Sequence, residues 1–297
     1  MAKNTASPNS PQTSRADEAW RAVDCDQTIE HFRERGWMRV HRAFDAAAAA
    51  AMRDVIWNGL ARSGIDRHDR STWTIERPTN LQKLKEDPAF RAVGSERLLS
   101  VIGELLGTQS YEKPRRWGAA FIAFPSKAKW GVPTRGWHCD AHYLSQLWPP
   151  KGVQTFAIFG DLPPRSGATQ ILSGAHRLID SWFREHPPQA GARSADMRKS
   201  LQRHPYIADL HSEGDRDQRI ARFMDQVELV DGIPLEVIEA TGVPGDVIVL
   251  HPLSLHVGAP NNGSAPRFML SGGVTADMAG WADRLWADEL PKSGAAQ

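Results

Sequence analysis

The sequence predicts an α+β protein, with helices first and an antiparallel β-sandwich or barrel after them. Two observations carry this. The first third repeats apolar residues at helical spacing between capping signals, and from Trp117 the period shortens into strand-like runs broken by Gly, Pro and Asn. In chain order, Asp26 precedes QTIEHFRERG, where Ile29 and Phe32 share a face and Gly36 closes a short amphipathic helix. WMRV at 37–40 reads as a strand. Asp45 then caps AAAAAAMRDVIWNGLARSG, an alanine-rich helix with Met52, Val55, Ile56 and Leu60 on one face. A third helical region, 88–106, holds Phe90, Val93, Leu98, Leu99, Ile102 and Leu106, is interrupted near Gly94 and ends at Gly107.

The strand candidates follow as GAAFIAF, GWHCDAHY, GVQTFAIFGDL, GATQIL, PLEVIEA, DVIVLH and RFMLSGGV. Between the fourth and fifth, residues 186–232 are polar and charged and too long for a structureless loop in a compact domain. Helix-capable stretches at 194–203 and 215–226 make this a partly helical insertion and a candidate lid.

Composition narrows the function classes. Over 297 residues, 36 Lys+Arg against 35 Asp+Glu leave a net charge of +1, and 41% of the chain is hydrophobic. Such a chain buries a full core but offers no net field to a polyanion, so nucleic acid is not an expected partner. Its two cysteines, Cys25 and Cys139, lie far apart in neither a disulfide framework nor a CxxC pattern, and the expected compartment is the cytoplasm. Residues 1–18 are polar and read as a disordered tail, and no apolar run approaches the roughly 18 residues of a membrane span. The unusual surplus is 11 His and 11 Trp.

Chemistry concentrates in WHCDAHY. On a strand, His138 and Asp140 point to one face and can converge on one metal, supplying two of the three ligands of a 2-His-1-carboxylate site on Fe(II). The segment DVIVLHPLSLHVGAPNNGSAPRFML offers His251 and His256 as the third. A hairpin folded about Asn261 and Asn262 would set His256 opposite Arg267 and His251 opposite Gly272. That register favours His256. A metal beside a buried guanidinium suits a chelating dicarboxylate, whose far end takes charge-assisted hydrogen bonds from Arg267.

At these residues the chain resembles the phytanoyl-CoA dioxygenase-like family of Fe(II)/2-oxoglutarate-dependent oxygenases, from about Asp26 to Val274. WHCDAHY, GATQILSGAHR and HPLSLHVGAPNNGSAPR carry the resemblance. It implies a double-stranded β-helix (jelly roll, cupin-like) core with packed N-terminal helices, residues 19–297 forming one oxygenase domain. It also implies iron held by His138, Asp140 and His256, with Arg267 binding 2-oxoglutarate. The implied reaction takes O2, hydroxylates an aliphatic C–H bond of a small-molecule or lipid-like substrate and releases succinate and CO2. Related halogenating enzymes lack the triad carboxylate, so Asp140 implies hydroxylation.

Three positions depart from the family pattern. Cys139 stands inside the HxD where a polar residue is common, and on a strand it would face away from the metal. Gly258 replaces a Ser that often helps hold the cosubstrate carboxylate. Phe156 replaces a Trp, keeping an aromatic wall without the indole N–H. Asn80 and Gln82 fall where the family has polar residues reaching the cosubstrate.

For the substrate the expectations are His142, on the strand face of His138 and Asp140, with Trp148 and Trp117. His176 and His251 are read as packing residues, and Lys113, Arg115 and Arg116 as a solvated basic face. The alternative function is a jelly-roll binding or sensing protein that has lost turnover. Retention of Arg267 speaks against it, because a metal site without cosubstrate has no use for that cation. The sequence sets no oligomeric state.

Overall fold

The computed structural model describes residues 28–79, 81–108, 111–141, 148 and 151–275. Helix α1 (Ile29–Arg35) starts from Thr28, whose side chain accepts from the His31 amide, so the N-cap lies two residues past the expected Asp26. Gly36 closes it at φ 78°, and a Cβ there would lie 2.3 Å from His176 Nδ1, so both the turn and the packing demand glycine. Strand β1 (Trp37–Val40) follows directly. Asp45 caps α2 (Ala46–Ala61) through the Ala48 amide at 2.7 Å, and Ala49, Met52, Ile56, Trp57 and Leu60 form its buried stripe. The region at 88–106 breaks where expected, into a 310 helix (Pro88–Val93) and α3 (Glu96–Leu106), the latter closed by left-handed Gly107.

Among the described residues, nine strands make two antiparallel sheets. The first holds β1, β2 (Ala119–Ala123), β3 (Val153–Ile158), β7 (Val247–Leu250) and β9 (Arg267–Val274) in the order β1-β7-β3-β9-β2. The second holds β4 (Thr169–Ser173), β5 (Glu228–Val230), β6 (Ile233–Glu239) and β8 (His256–Gly258) in the order β5-β6-β4-β8. This is the jelly roll.

Alternation along the strands sorts the core into layers. Val153, Ala157, Val247, Val249, Phe268 and Leu270 face the N-terminal helices. Their neighbours Phe156, Ile158, Ile248, Leu250 and Met269 face inward to meet Ile171 of β4. Beyond the second sheet, Leu172, Leu235 and Val237 pack on α4 (Ala175–Glu185) and on α5 (Ser194–Leu201), α6 (Pro205–Leu210) and α7 (Arg216–Phe223).

The last three helices and β5 make up the expected insertion. Met197 and Leu201 anchor α5 in the layer behind the second sheet. Among the described residues no helix is long and apolar enough to cross a membrane.

Candidate metal centre

His138 and His256 form an antiparallel bridge in which each amide donates to the other's carbonyl, at 3.1 and 2.9 Å. Directly paired residues present their side chains on the same face, and the two rings lie 4.4 Å apart. The strand expected over WHCDAHY is no longer than this bridge, since Ala141 is already helical. Alternation still holds across it: Cys139 turns outward and Asp140 returns to the face of His138. Asp140 Oδ1 lies 3.7 Å from His138 Nε2, and Oδ2 lies 3.5 Å from His256 Nε2. One ligand atom from each of the three residues falls within 4.8 Å of the others.

The other ring nitrogens decide what these imidazoles can do. His138 Nδ1 lies 2.7 Å from the Gly136 carbonyl, and His256 Nδ1 lies 3.0 Å from that of Ser254. A carbonyl only accepts, so Nδ1 carries the proton in both rings and the Nε2 lone pairs face the carboxylate, as metal ligation requires. Burial, reinforced by the neighbouring His256, holds His138 below its ordinary pKa and so keeps it neutral. Asp140 lies below the usual carboxylate range despite its burial, and Gln154 donates a hydrogen bond to it. This donor set suits a divalent iron with open coordination positions.

Two inward residues of β3 complete the wall. Gln154 Nε2 donates to Asp140 Oδ2 at 2.6 Å, orienting the carboxylate from the opposite sheet. Phe156 sets its ring 5.3 Å from His256 at 70°. Gln154 was not among the expected site residues, although the alternation in VQTFAI places it on the face of Phe156. Behind the motif Cys139 Sγ lies 2.9 Å from Met197 Sδ, and burial pushes the thiol up to about 12, so it is a packing residue.

Arg267 opens β9 on the inner face of the first sheet. Its buried guanidinium donates from Nη1 to the Gly167 carbonyl at 2.7 Å, while Nε has no partner among the described residues. Burial, then the nearby charge of Arg77, lowers its pKa to about 10, which leaves it cationic at neutral pH. A buried cation without a counter-charge is costly, and an anionic ligand is the partner that fits it.

The hairpin register is overturned. His256 pairs with Ile171 of β4 in one sheet, whereas Arg267 pairs with Ala123 of β2 in the other. The chain between them crosses the sandwich. Pro260 and Pro266 flank the crossing and have no N–H to give a hairpin ladder, and Asn261 pins the corner by donating to the carbonyls of Ala123 and Ala265 at 2.9 and 2.8 Å.

The remaining expected residues scatter. Trp117 is buried in the layer between the first sheet and the N-terminal helices, with its indole against Gly94. Trp148 is half-buried and donates to Asp180 of α4 at 2.9 Å. Gln82 is exposed on a 310 helix (Gln82–Glu86), with no hydrogen bond to the triad or Arg267 among the described residues. His142 and Asn80 lie outside the described residues. Arg116 pairs with Glu86 at 2.7 Å on the basic face. His251 is sealed in the core, its ring 5.0 Å from that of His176 and 6.3 Å from that of Phe32.

The pattern of the phytanoyl-CoA dioxygenase (PhyH) family matches residues 32–269. The chain belongs to that family and is an oxygenase-type enzyme that uses Fe(II) and 2-oxoglutarate. The fold is shared with SnoK, a non-heme alpha-ketoglutarate-dependent carbocyclase from nogalamycin biosynthesis, at 11% identity and TM-score 0.52 over 86% of this chain and 85% of that one. Also similar are AviO1 from Streptomyces viridochromogenes Tue57 (16% identity, TM-score 0.48, 90% and 98% covered) and EvdO2 from Micromonospora carbonacea var. aurantiaca complexed with 2-oxoglutarate (19%, 0.46, 86% and 92%). No curated protein matches the chain closely enough to stand as a relative.

Proposed function

We propose that the enzyme hydroxylates an aliphatic C–H bond of a small-molecule or lipid-like substrate, releasing succinate and CO2. His138, Asp140 and His256 hold the iron, and Arg267 anchors the far carboxylate of 2-oxoglutarate. The observation that supports this best is a cluster of two histidines with proton-free Nε2 atoms and a carboxylate inside the sandwich, together with a buried guanidinium on the inner face of the first sheet whose Nε has no partner among the described residues. Bound iron supplies the oxidising chemistry. The chain's own tasks are to hold both Nδ1 atoms on backbone carbonyls so that Nε2 faces Asp140, to aim Asp140 through Gln154, to wall the cosubstrate with Phe156 and to position the substrate.

The test begins with the anaerobic Fe(II) protein. Addition of 2-oxoglutarate should produce a charge-transfer absorption, and admission of oxygen should yield succinate. Absence of both refutes the assignment and leaves the inactive binding protein as the better account. With a substrate in hand, product mass decides the outcome: hydroxylation adds one oxygen atom, whereas ring closure of the kind named for SnoK removes two hydrogens.

A further inference from the structure

Arg77 was not expected at the site, yet its guanidinium lies at the anion-binding end. Its Nη2 donates to the Gly258 carbonyl at 3.3 Å. A Cβ built on Gly258 would meet Nη2, Nη1 and Cζ of Arg77 at 3.5, 3.6 and 3.7 Å, so the flat face of the guanidinium covers the space into which a side chain at 258 would project. The segment carrying it is fixed on both sides. The Glu76 carbonyl accepts from the Phe124 amide at 2.8 Å and its carboxylate from Ser126 Oγ at 2.7 Å, while Trp73 packs 5.1 Å from Phe124. These contacts adjoin the Ala123–Arg267 register pair, and they deliver Arg77 to the corner where β8 leaves one sheet and β9 begins in the other.

Two guanidinium groups therefore face one end of the inter-sheet space. Neither has a carboxylate partner among the described residues, and Arg267 keeps a buried, unused Nε. Like charges held side by side repel, and each lowers the cost of an anion placed between them. They differ in exposure: Arg267 is buried and forms the floor, whereas Arg77 is open to solvent and forms the outer wall.

We propose that Arg77 is a second cation for the far carboxylate of 2-oxoglutarate, its guanidinium lying over the bare Cα of Gly258. This rests on the cosubstrate role given to Arg267 above and extends it to a residue from a different part of the chain. A hydroxyl at position 258 would point into the same space and would be redundant with Arg77 or in its way.

The experiment is an anaerobic titration of the full-length Fe(II) protein, followed by the charge-transfer band. Two keto acids are compared: 2-oxoglutarate, and 2-oxopentanoate, which keeps the chelating end and chain length but ends in a methyl group. Arg77→Ala and Arg77→Gln should weaken 2-oxoglutarate about tenfold, as expected for one solvent-exposed charge-assisted contact, and leave 2-oxopentanoate unchanged. Arg77→Lys should keep part of the affinity, and Gly258→Ser in the Arg77→Ala background should recover part of it. Iron affinity and melting temperature should match the wild type in all four. Unchanged 2-oxoglutarate affinity in both neutral variants, or equal weakening of the two keto acids, overturns the assignment of Arg77 alone. A wild-type protein that gives no band with 2-oxoglutarate overturns the oxygenase reading and this proposal with it.

Discussion

Two pairs of histidines lie in this sandwich with their rings at similar separations, 4.4 Å for His138 and His256 and 5.0 Å for His176 and His251, yet they do opposite things. In the first pair Nδ1 is tied to a carbonyl two residues upstream, and Nε2 is left facing a carboxylate. In the second pair one nitrogen of each ring is taken by the backbone. His251 Nδ1 accepts the Leu253 amide at 3.1 Å, and His176 Nε2 donates to the Arg33 carbonyl at 2.9 Å. Proximity of imidazoles is therefore not the signal of a metal site. What separates the pairs is the direction of the lone pair that backbone hydrogen bonding leaves over.

The strongest way to break this contrast is to delete one ring from each pair. His256→Ala or His138→Ala should lower metal affinity by more than ~100-fold, beyond the ~10–100-fold typical of residues that only support a ligand, as read by anaerobic Fe(II) or Co(II) titration. His251→Gln should leave that affinity near wild type and lower the melting temperature instead. The opposite result would mean that His251 is the ligand. Next in size is Arg267→Gln, expected to weaken 2-oxoglutarate by about 10- to 100-fold, the range of a lost hydrogen bond to a charged group, without changing metal affinity in the same titration.

Acid sharpens the comparison from the other side. Burial, only partly offset by the bond to Arg33, lowers His176 from 6.5 to about 3 in the folded protein. The unfolded chain takes up this proton first. The stability contributed by the neutral ring is thus fully present above pH 6.5 and is lost as pH falls from there toward 3, by about 2 kcal/mol at pH 5. Thermal unfolding followed between pH 7 and 5 should show at least this slope, and His176→Phe should reduce it without abolishing it, because buried His251, also held well below its ordinary pKa, adds a slope of the same sign. The smallest effect is expected for Gln154→Leu, which removes the bond that orients Asp140 and should cost about tenfold in metal affinity, the low end for a residue that supports a ligand.

Local chemistry made the N-terminal helices legible. Asp45 and Gly107 mark helix ends because a cap is decided by a few adjacent atoms. Helix α4 was equally readable from Leu178, Ile179, Trp182 and Phe183, though it was missing from the expected elements. His138 and Asp140 share a face in a segment too short to be a strand, since alternation survives a single bridge. The sheet crossing after His256 was harder, because Asn261 and Asn262 carry turn chemistry whether the chain doubles back or changes sheets. Only Pro260 and Pro266 spoke against the ladder. For Arg77 the sequence offers no signal at all, because it reaches Gly258 through tertiary bonds of Glu76 with β2 and the segment after it.

The short strand β8 has one more consequence. His256 and Gly258 occupy the same face two residues apart, which at a rise of ~3.3 Å per residue sets the proposed metal ligand about 7 Å along the strand from the glycine under Arg77. A β-strand does not stretch, so in the proposed reading β8 works as a ruler, with the metal ligand at one mark and the charge of Arg77 at the other. Keto dicarboxylates one carbon shorter or longer than 2-oxoglutarate cannot meet both marks in a relaxed conformation, and weaker binding of both homologues in the anaerobic titration would reveal the graduation.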